Sequence, residues 1–182
     1  MKLKELSLHV LDIVENSISA NANLIKILID EDLVHNLLTI QIEDNGIGMD
    51  KELLRMADNP FTTTRKTRKV GLGLSLFKAA ALRTEGNFNI DSVKGKGTIV
   101  KATFKHDHID RAPIGNMGST IATILSREDN IDLLYIHRIC DKVFEFDTRK
   151  IKEILGEVSL NTPEIILWIQ NYINENIIEL SK

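Results

Sequence analysis

LLTIQIEDNGIGM (37–49) is the stretch that decides the fold. Leu38, Ile40 and Ile42 recur at a period of two, so residues 37–44 form a strand. The strand runs directly into Asp44-Asn45-Gly46-Ile47-Gly48-Met49. Two glycines two apart allow a tight turn in which backbone comes close to a ligand. An aspartate at a strand end can accept a hydrogen bond from an exocyclic amine such as that of adenine. Asp-Asn-Gly is also an ordinary turn signal, and the motif alone does not separate the two readings.

Working outward, Leu3, Leu6, Val10, Ile13, Val14 and Ile18 share one arc at helical period, with Glu5, His9, Asp12, Asn16 and Ser19 opposite, which makes residues 1–23 an amphipathic helix. LIKILID (24–30) reads as a strand before the central one, 51–57 as a short helix and the polar, basic 58–70 as a loop. A helix over 72–84 and strands over 87–93 and 98–104, joined by Gly95-Lys96-Gly97, complete a unit of residues 1–105. HDHIDRAPIGNMG (106–118) reads as a linker, and 119–182 as a small α+β domain: helices near 119–126, 148–155 and 164–179, strands near 131–137 and 142–147. There is no internal repeat.

Further signals surround the turn. In VGLGLSL (70–76) a glycine pair opens a helix, where free N–H groups and the helix dipole bind phosphate. Glycines there also serve plain packing. No Gly-Lys-Ser/Thr closes the motif as in a Walker loop, and Leu76 replaces the last glycine of a dinucleotide fingerprint. Asp12 and Asn16 stand i, i+4 on the polar arc of the first helix. A carboxylate there could orient or deprotonate water and an amide oxygen could hold Mg²⁺, or both could simply be solvated. FTTTRKTRK (61–69) sets Arg65, Lys66, Arg68 and Lys69 beside the glycine pair; four cations suit a triphosphate and equally a solvated loop. In GKGT (95–98) Thr98 is available to a ligand edge.

Composition bounds the rest. In 182 residues, 43% are hydrophobic and 27% charged, enough for a real core. Lys and Arg total 23 against 26 Asp and Glu, a net charge of -3 that argues against coating nucleic acid or an anionic membrane. Cys140 is the single cysteine, so there is neither a disulfide nor a cysteine zinc site, and a reducing compartment fits. No apolar run reaches the ~18 residues of a membrane span, and the N-terminus does not read as a signal peptide. The expectation is a soluble cytoplasmic chain.

The ordered set of a helix with Asn16, a strand ending Asp44-x-Gly46-x-Gly48, a polar lid, Gly71-x-Gly73 opening a helix and Gly97-Thr98 in a late hairpin resembles the GHKL ATPases: gyrase, heat-shock-ninety chaperones, histidine kinases and MutL. The match covers residues 5–105. LDIVENSISANA (11–22) is similar to the N-box of the MutL and gyrase branch, and NPFTTTRK with VGLGLSL to the lid and glycine box of histidine kinases. The resemblance implies ATP and Mg²⁺ as ligands, with Asn16 holding the metal, Asp44 the adenine, and Gly46, Gly48 and Met49 near the base. It places Thr63, Arg65 and Lys66 of the lid with Gly71, Leu72, Gly73 and Leu74 at the phosphates, and Thr98 in support of Asp44.

Two positions depart from the family. Asp12 stands where hydrolytic members carry the glutamate that activates water; being one methylene shorter, it suggests slow hydrolysis. Ser19 replaces an aspartate of MutL and gyrase relatives. Glu15 lies about 60° further round the helix and reads as solvated. Too few residues precede the N-box here for the phosphoacceptor hairpin of a sensor kinase, and His9 is a poor acceptor in cis. His106 and His108 read as solvated linker residues, His35 and His137 belong to no constellation, and Trp168 reads as core. Residues 107–182 resemble no named module, and the last helix shows a wide apolar face that either docks on its own strands or meets a partner.

The expected fold is α+β: a two-layer α/β sandwich with a mixed sheet covered on one face by helices, plus a small C-terminal appendage. The expected function is Mg²⁺-dependent ATP binding with slow hydrolysis using Asp12 as base. Two alternatives accompany it, a protein kinase acting in trans on a partner, as anti-sigma kinases do, and a non-catalytic ATP-gated interaction switch.

Overall fold

In LIKILIDED the apolar residues Ile25, Ile27 and Ile29 point to one side of the strand and are fully buried. The same alternation repeats across a single six-stranded sheet in a computed structural model that describes residues 5–58, 72–127 and 130–182. The elements are α1 (Leu6–Ser19), β1 (Leu24–Asp32), β2 (Leu37–Asp44), α2 (Lys51–Asp58), α3 (Leu72–Arg83), β3 (Phe88–Val93), β4 (Gly97–Lys105), α4 (Met117–Arg127), β5 (Asp132–Ile139), β6 (Lys142–Asp147), α5 (Thr148–Leu155) and α6 (Pro163–Leu180). Sheet order is β3-β4-β2-β1-β5-β6, antiparallel except for the β1–β5 pair. One row across the sheet runs Val100–Ile42–Ile27–Tyr135–Phe146, all buried. Helices α3, α1, α4 and α6 lie side by side over that face, giving the expected two-layer sandwich and mixed sheet.

The α+β content expected of residues 119–182 is present, and its strands extend the first sheet. β5 pairs with β1 from Leu24↔Asp132 to Glu31↔Ile139. The segment expected as a linker is docked: Leu6 N–H donates to Pro113 O (2.9 Å) and Ser7 N–H to Ile114 O (2.7 Å). Helix N-termini carry four unsatisfied N–H groups, and this strap answers two of them for α1.

Its histidines are not solvated. Glu31, at the end of β1, accepts from two imidazoles: Oε1 lies 2.8 Å from His137 Nε2 and Oε2 lies 2.9 Å from His106 Nε2. His137 Nδ1 is 2.6 Å from the hydroxyl of fully buried Tyr135. Burial, with the Glu31 charge adding to it, pushes the Tyr135 phenol well up, so it stays a neutral donor. His35 is bonded to Asp32 at 2.6 Å, and His108 Nε2 approaches Glu85 at 3.8 Å. His9 departs from its expected polar surroundings too: it is buried and stacks on Phe77, ring centroids 5.6 Å apart. An imidazole that finds a ring of α3 to cover it leaves the solvated arc.

Burial raises the Glu31 carboxyl, but the hydrogen bonds and charges of His137 and His106 outweigh it, and the net position is below the ordinary glutamate value. A depressed carboxyl contributes stability above its unfolded pKa, and that stability is lost as pH falls through the folded value. Glu31→Gln is therefore expected to cost about 1–3 kcal/mol at pH 7 and to flatten the loss of stability below about pH 4.5. Urea unfolding of both proteins from pH 3 to 7 measures this; parallel curves contradict it.

Among the described residues no helix is long and apolar enough to cross a membrane.

Candidate functional site

Asp44 ends β2 beneath the C-terminal half of α1 and is 9% exposed. Its two oxygens are held from two directions. Oδ1 accepts the Gly46 N–H at 2.9 Å, the Asx geometry of an Asp-x-Gly turn, and Oδ2 accepts the Ser17 hydroxyl at 2.7 Å. Two bonds occupy half of the roughly four lone-pair positions of a carboxylate. Among the described residues no other donor takes the remaining ones, which leaves capacity for an amine donor.

The turn after Asp44 is clamped to its neighbours. Ile47 N–H donates to Ala20 O (2.8 Å) and Gly95 N–H to Ile47 O (2.7 Å). Gly48 (φ +61°) presses on the β3–β4 hairpin so closely that a Cβ would stand 2.1 Å from Val93 O. Gly97 (φ +109°) would place one 1.9 Å from Asp44 O. Only glycine fits either position. Asn45 faces the other way, its Oδ1 accepting the N–H groups of Asn23 and Leu24 at 3.0 Å.

Asp12 and Asn16 lie on α1, both half-buried, as the i, i+4 spacing requires. Among the described residues neither side chain is spent on another. Gly73, in the first turn of α3, sits on Asp12: a Cβ there would meet Asp12 Cβ at 2.8 Å. A bare glycine thus lets the N-terminal end of α3, the positive end of its dipole, come down beside the Asp12 carboxylate. The Asn16 side-chain oxygen, on the same face of α1, fits Mg²⁺, which takes one or two protein oxygens and completes its shell with phosphates and water.

The structure brings Asp12, Asn16, Asp44, Gly46, Gly48 and Gly73 together. Thr63, Arg65, Lys66 and Gly71, with the rest of the expected lid, lie outside the described residues. Leu72 is 77% exposed, whereas Leu74 is buried in the core and can offer a ligand only its backbone. Met49 is half-buried, its N–H donating to Ser92 Oγ at 2.8 Å. Thr98 is opposite Asp44 in the β2–β4 register, but its hydroxyl is 2.9 Å from Ser92 Oγ, and the grip on Asp44 belongs to Ser17. Glu15, expected to be solvated, is exposed and paired with Arg127 of α4 at 2.9 Å.

Ser17 and Ser92 are the residues that sequence reasoning missed. A signal existed for Ser17: it falls on the apolar arc of α1 with Val10, Ile13 and Val14, and a buried hydroxyl needs a partner. Ser17→Ala is expected to keep the fold but let the Asp44 carboxylate turn, weakening ATP binding about tenfold, the scale of one hydrogen bond to a charged group. Calorimetric titration of both proteins checks this, and equal affinities would remove Ser17 from the site.

An aspartate clamped at a strand end, a glycine turn beside it, and a helix bearing an amide and a carboxylate under another helix start define the site of a GHKL-type α/β sandwich. The chain belongs to the histidine kinase-, DNA gyrase B- and HSP90-like ATPase family, whose model matches residues 2–108. Curated relatives include an uncharacterized sensor-like histidine kinase of Rhizobium meliloti, 35% identical over 86 residues (44% of this chain, 16% of that protein). The tetrathionate sensor histidine kinase of Salmonella typhimurium is 32% identical over 101 residues (53% and 17%). The chain thus spans less than a fifth of the length of either relative. Among solved structures, the Aquifex aeolicus MutL ATPase domain complexed with ADP has a TM-score of 0.51 at 13% identity, covering 85% of this chain and 70% of that one. The topoisomerase IV ATP-binding domain of Francisella tularensis has a TM-score of 0.51 at 15% identity, covering 80% and 88%. Coverage of 85% runs past residue 108, so part of the C-terminal segment lies within the shared fold.

Proposed function

We propose that this chain binds Mg·ATP between α1, the β2 turn and the start of α3, and hydrolyses it slowly. The observation that carries the reading is the Asp44 carboxylate, held by Ser17 and Gly46 with acceptor capacity left for the adenine amine. Asn16 would hold Mg²⁺, which when bound neutralises phosphate charge and fixes the γ-phosphate. Gly73 and the α3 N–H groups face the phosphates, and the expected lid of Thr63, Arg65 and Lys66 would close over them. Asp12, unspent and beside α3, is the base that takes a proton from water; its short side chain keeps turnover low. A nucleotide-binding chain with one exposed cysteine, Cys140, suits the cytoplasm.

A second reading is phosphoryl transfer to a separate protein. The placement of the five histidines supports it over transfer to one of them. His9 is stacked beneath α3, and His35, His106, His108 and His137 are held by carboxylates. The deciding experiment measures ATP affinity with and without Mg²⁺ and phosphate release on the same sample. Tight Mg²⁺-dependent binding with slow release supports the ATPase. Binding without release moves the weight to transfer, to be sought with γ-labelled ATP and added proteins. No binding of ATP sinks both.

A further inference from the structure

Helix α6 is satisfied on its inner side. Ile169, Ile173 and Leu180 are buried, Gln170 Nε2 donates to Ser119 Oγ (3.0 Å) and Asn174 Oδ1 accepts the Gly118 N–H (3.2 Å). At its flank Tyr172 meets Phe144 of β6, ring centroids 5.8 Å apart. Its outer side is unlike an ordinary solvated helix face. Trp168, expected in the core, is 47% exposed and stacked on Tyr172 at 5.0 Å; Leu167 is 58% and Ile178 59% exposed. At 100° per residue these three fall with Glu164, Glu175 and Glu179 on one outward arc of about 120°, running about 22 Å along the helix.

The charge on that arc has one sign. α6 contains three glutamates and no lysine, arginine or histidine. Glu179 is bonded to Lys182 at 2.5 Å; among the described residues, Glu164 and Glu175 have no cation within 4.0 Å. A second copy is a poor occupant. Packed parallel, each glutamate meets its own counterpart; packed antiparallel end to end, Glu164 faces Glu179 and Trp168 faces Glu175. An anionic membrane surface is repelled for the same reason. What complements an apolar arc with glutamates set among its side chains is an amphipathic helix with basic residues beside its apolar seam.

We propose that the outer face of α6 is a docking surface for a basic amphipathic helix of a partner protein, with Trp168 and Leu167 as its apolar anchors and Glu164 and Glu175 as its charge selectors. Tryptophan, with tyrosine and arginine, is enriched at the energetic centres of interfaces.

Trp168 is the only tryptophan of the chain, so its emission reports the surface directly. The full chain is titrated with two synthetic helical peptides sharing one leucine seam, one flanked by Lys and Arg, the other by Glu. Expected are a blue shift of Trp168 emission with the basic peptide only, at least about tenfold weaker binding of the acidic one, and weakening by about tenfold again in Glu164→Gln/Glu175→Gln. Circular dichroism confirms that the variant, altered only at exposed positions, is folded. Equal binding of both peptides, no binding of either, or an unchanged affinity in the double variant overturns the proposal. So does self-association of the chain, seen by sedimentation and abolished in Trp168→Ser, which gives the face to a second copy.

Discussion

Asp44→Asn is expected to abolish measurable ATP binding at micromolar protein while leaving the fold intact. The wild-type carboxylate receives one donor from the backbone at Gly46 and one from Ser17. An asparagine must keep its oxygen toward the Gly46 N–H, because a backbone donor cannot reverse, and the Ser17 hydroxyl can rotate to accept from the amide. The new NH₂ group then points where the adenine amine must donate, and two donors meet with no acceptor between them. Losing a hydrogen bond to a charged acceptor and leaving a donor unpaired costs about 3–4 kcal/mol, or roughly 150- to 1,000-fold in affinity. Titration calorimetry reads the affinity, and thermal unfolding confirms that the protein remains native. The same geometry demands discrimination: GTP presents a carbonyl where ATP presents an amine, and wild-type protein should bind it at least about a hundredfold more weakly. Equal affinity for the two nucleotides would take Asp44 out of the base site.

Asp12→Asn is expected to reduce phosphate release by about 10²- to 10⁴-fold, the usual contribution of a positioned base, with ATP affinity changed by less than about threefold. The substitution keeps the side-chain volume beneath Gly73, where clearance is least, and removes only the capacity to take a proton. Glu15→Gln is the internal control. Glu15 is engaged with Arg127 on the α4 side of the helix, so turnover should stay within about twofold. If Asp12→Asn releases phosphate at the wild-type rate, the base lies elsewhere. If Glu15→Gln is the dead variant, the assignment of the two carboxylates is reversed.

The elements and motif order were legible in the sequence because their signals are local. A period of two in LLTIQIED, a helical period in LSLHVLDIVENSIS and a glycine pair before a helix involve residues within a few positions of one another. The i, i+4 pair Asp12 and Asn16 shares a face by helix geometry alone. Glycine at 48 and 97 announces turns, though not that each turn presses on the other strand's backbone. Trp168 was misjudged for a related reason: helical period gives the width of an apolar face, not which part of it the rest of the chain will cover.

From its sequence by itself the chain determined a two-layer α/β sandwich, an ordered set of nucleotide-site motifs and a last helix with a wide apolar face. Tertiary structure alone decided that β5 joins β1, that the strap 106–116 docks onto the first turn of α1, that Ser17 grips Asp44, and that Glu31 binds His106 and His137. Each of these contacts joins residues from 27 to 109 positions apart, as Ser17 to Asp44 and Asp132 to Asn23 show at 27 and 109. Local propensity states that a strand or a buried hydroxyl needs a partner. Which partner it receives is settled only when non-local surfaces compete to be buried together, and that competition leaves no periodic trace in the chain.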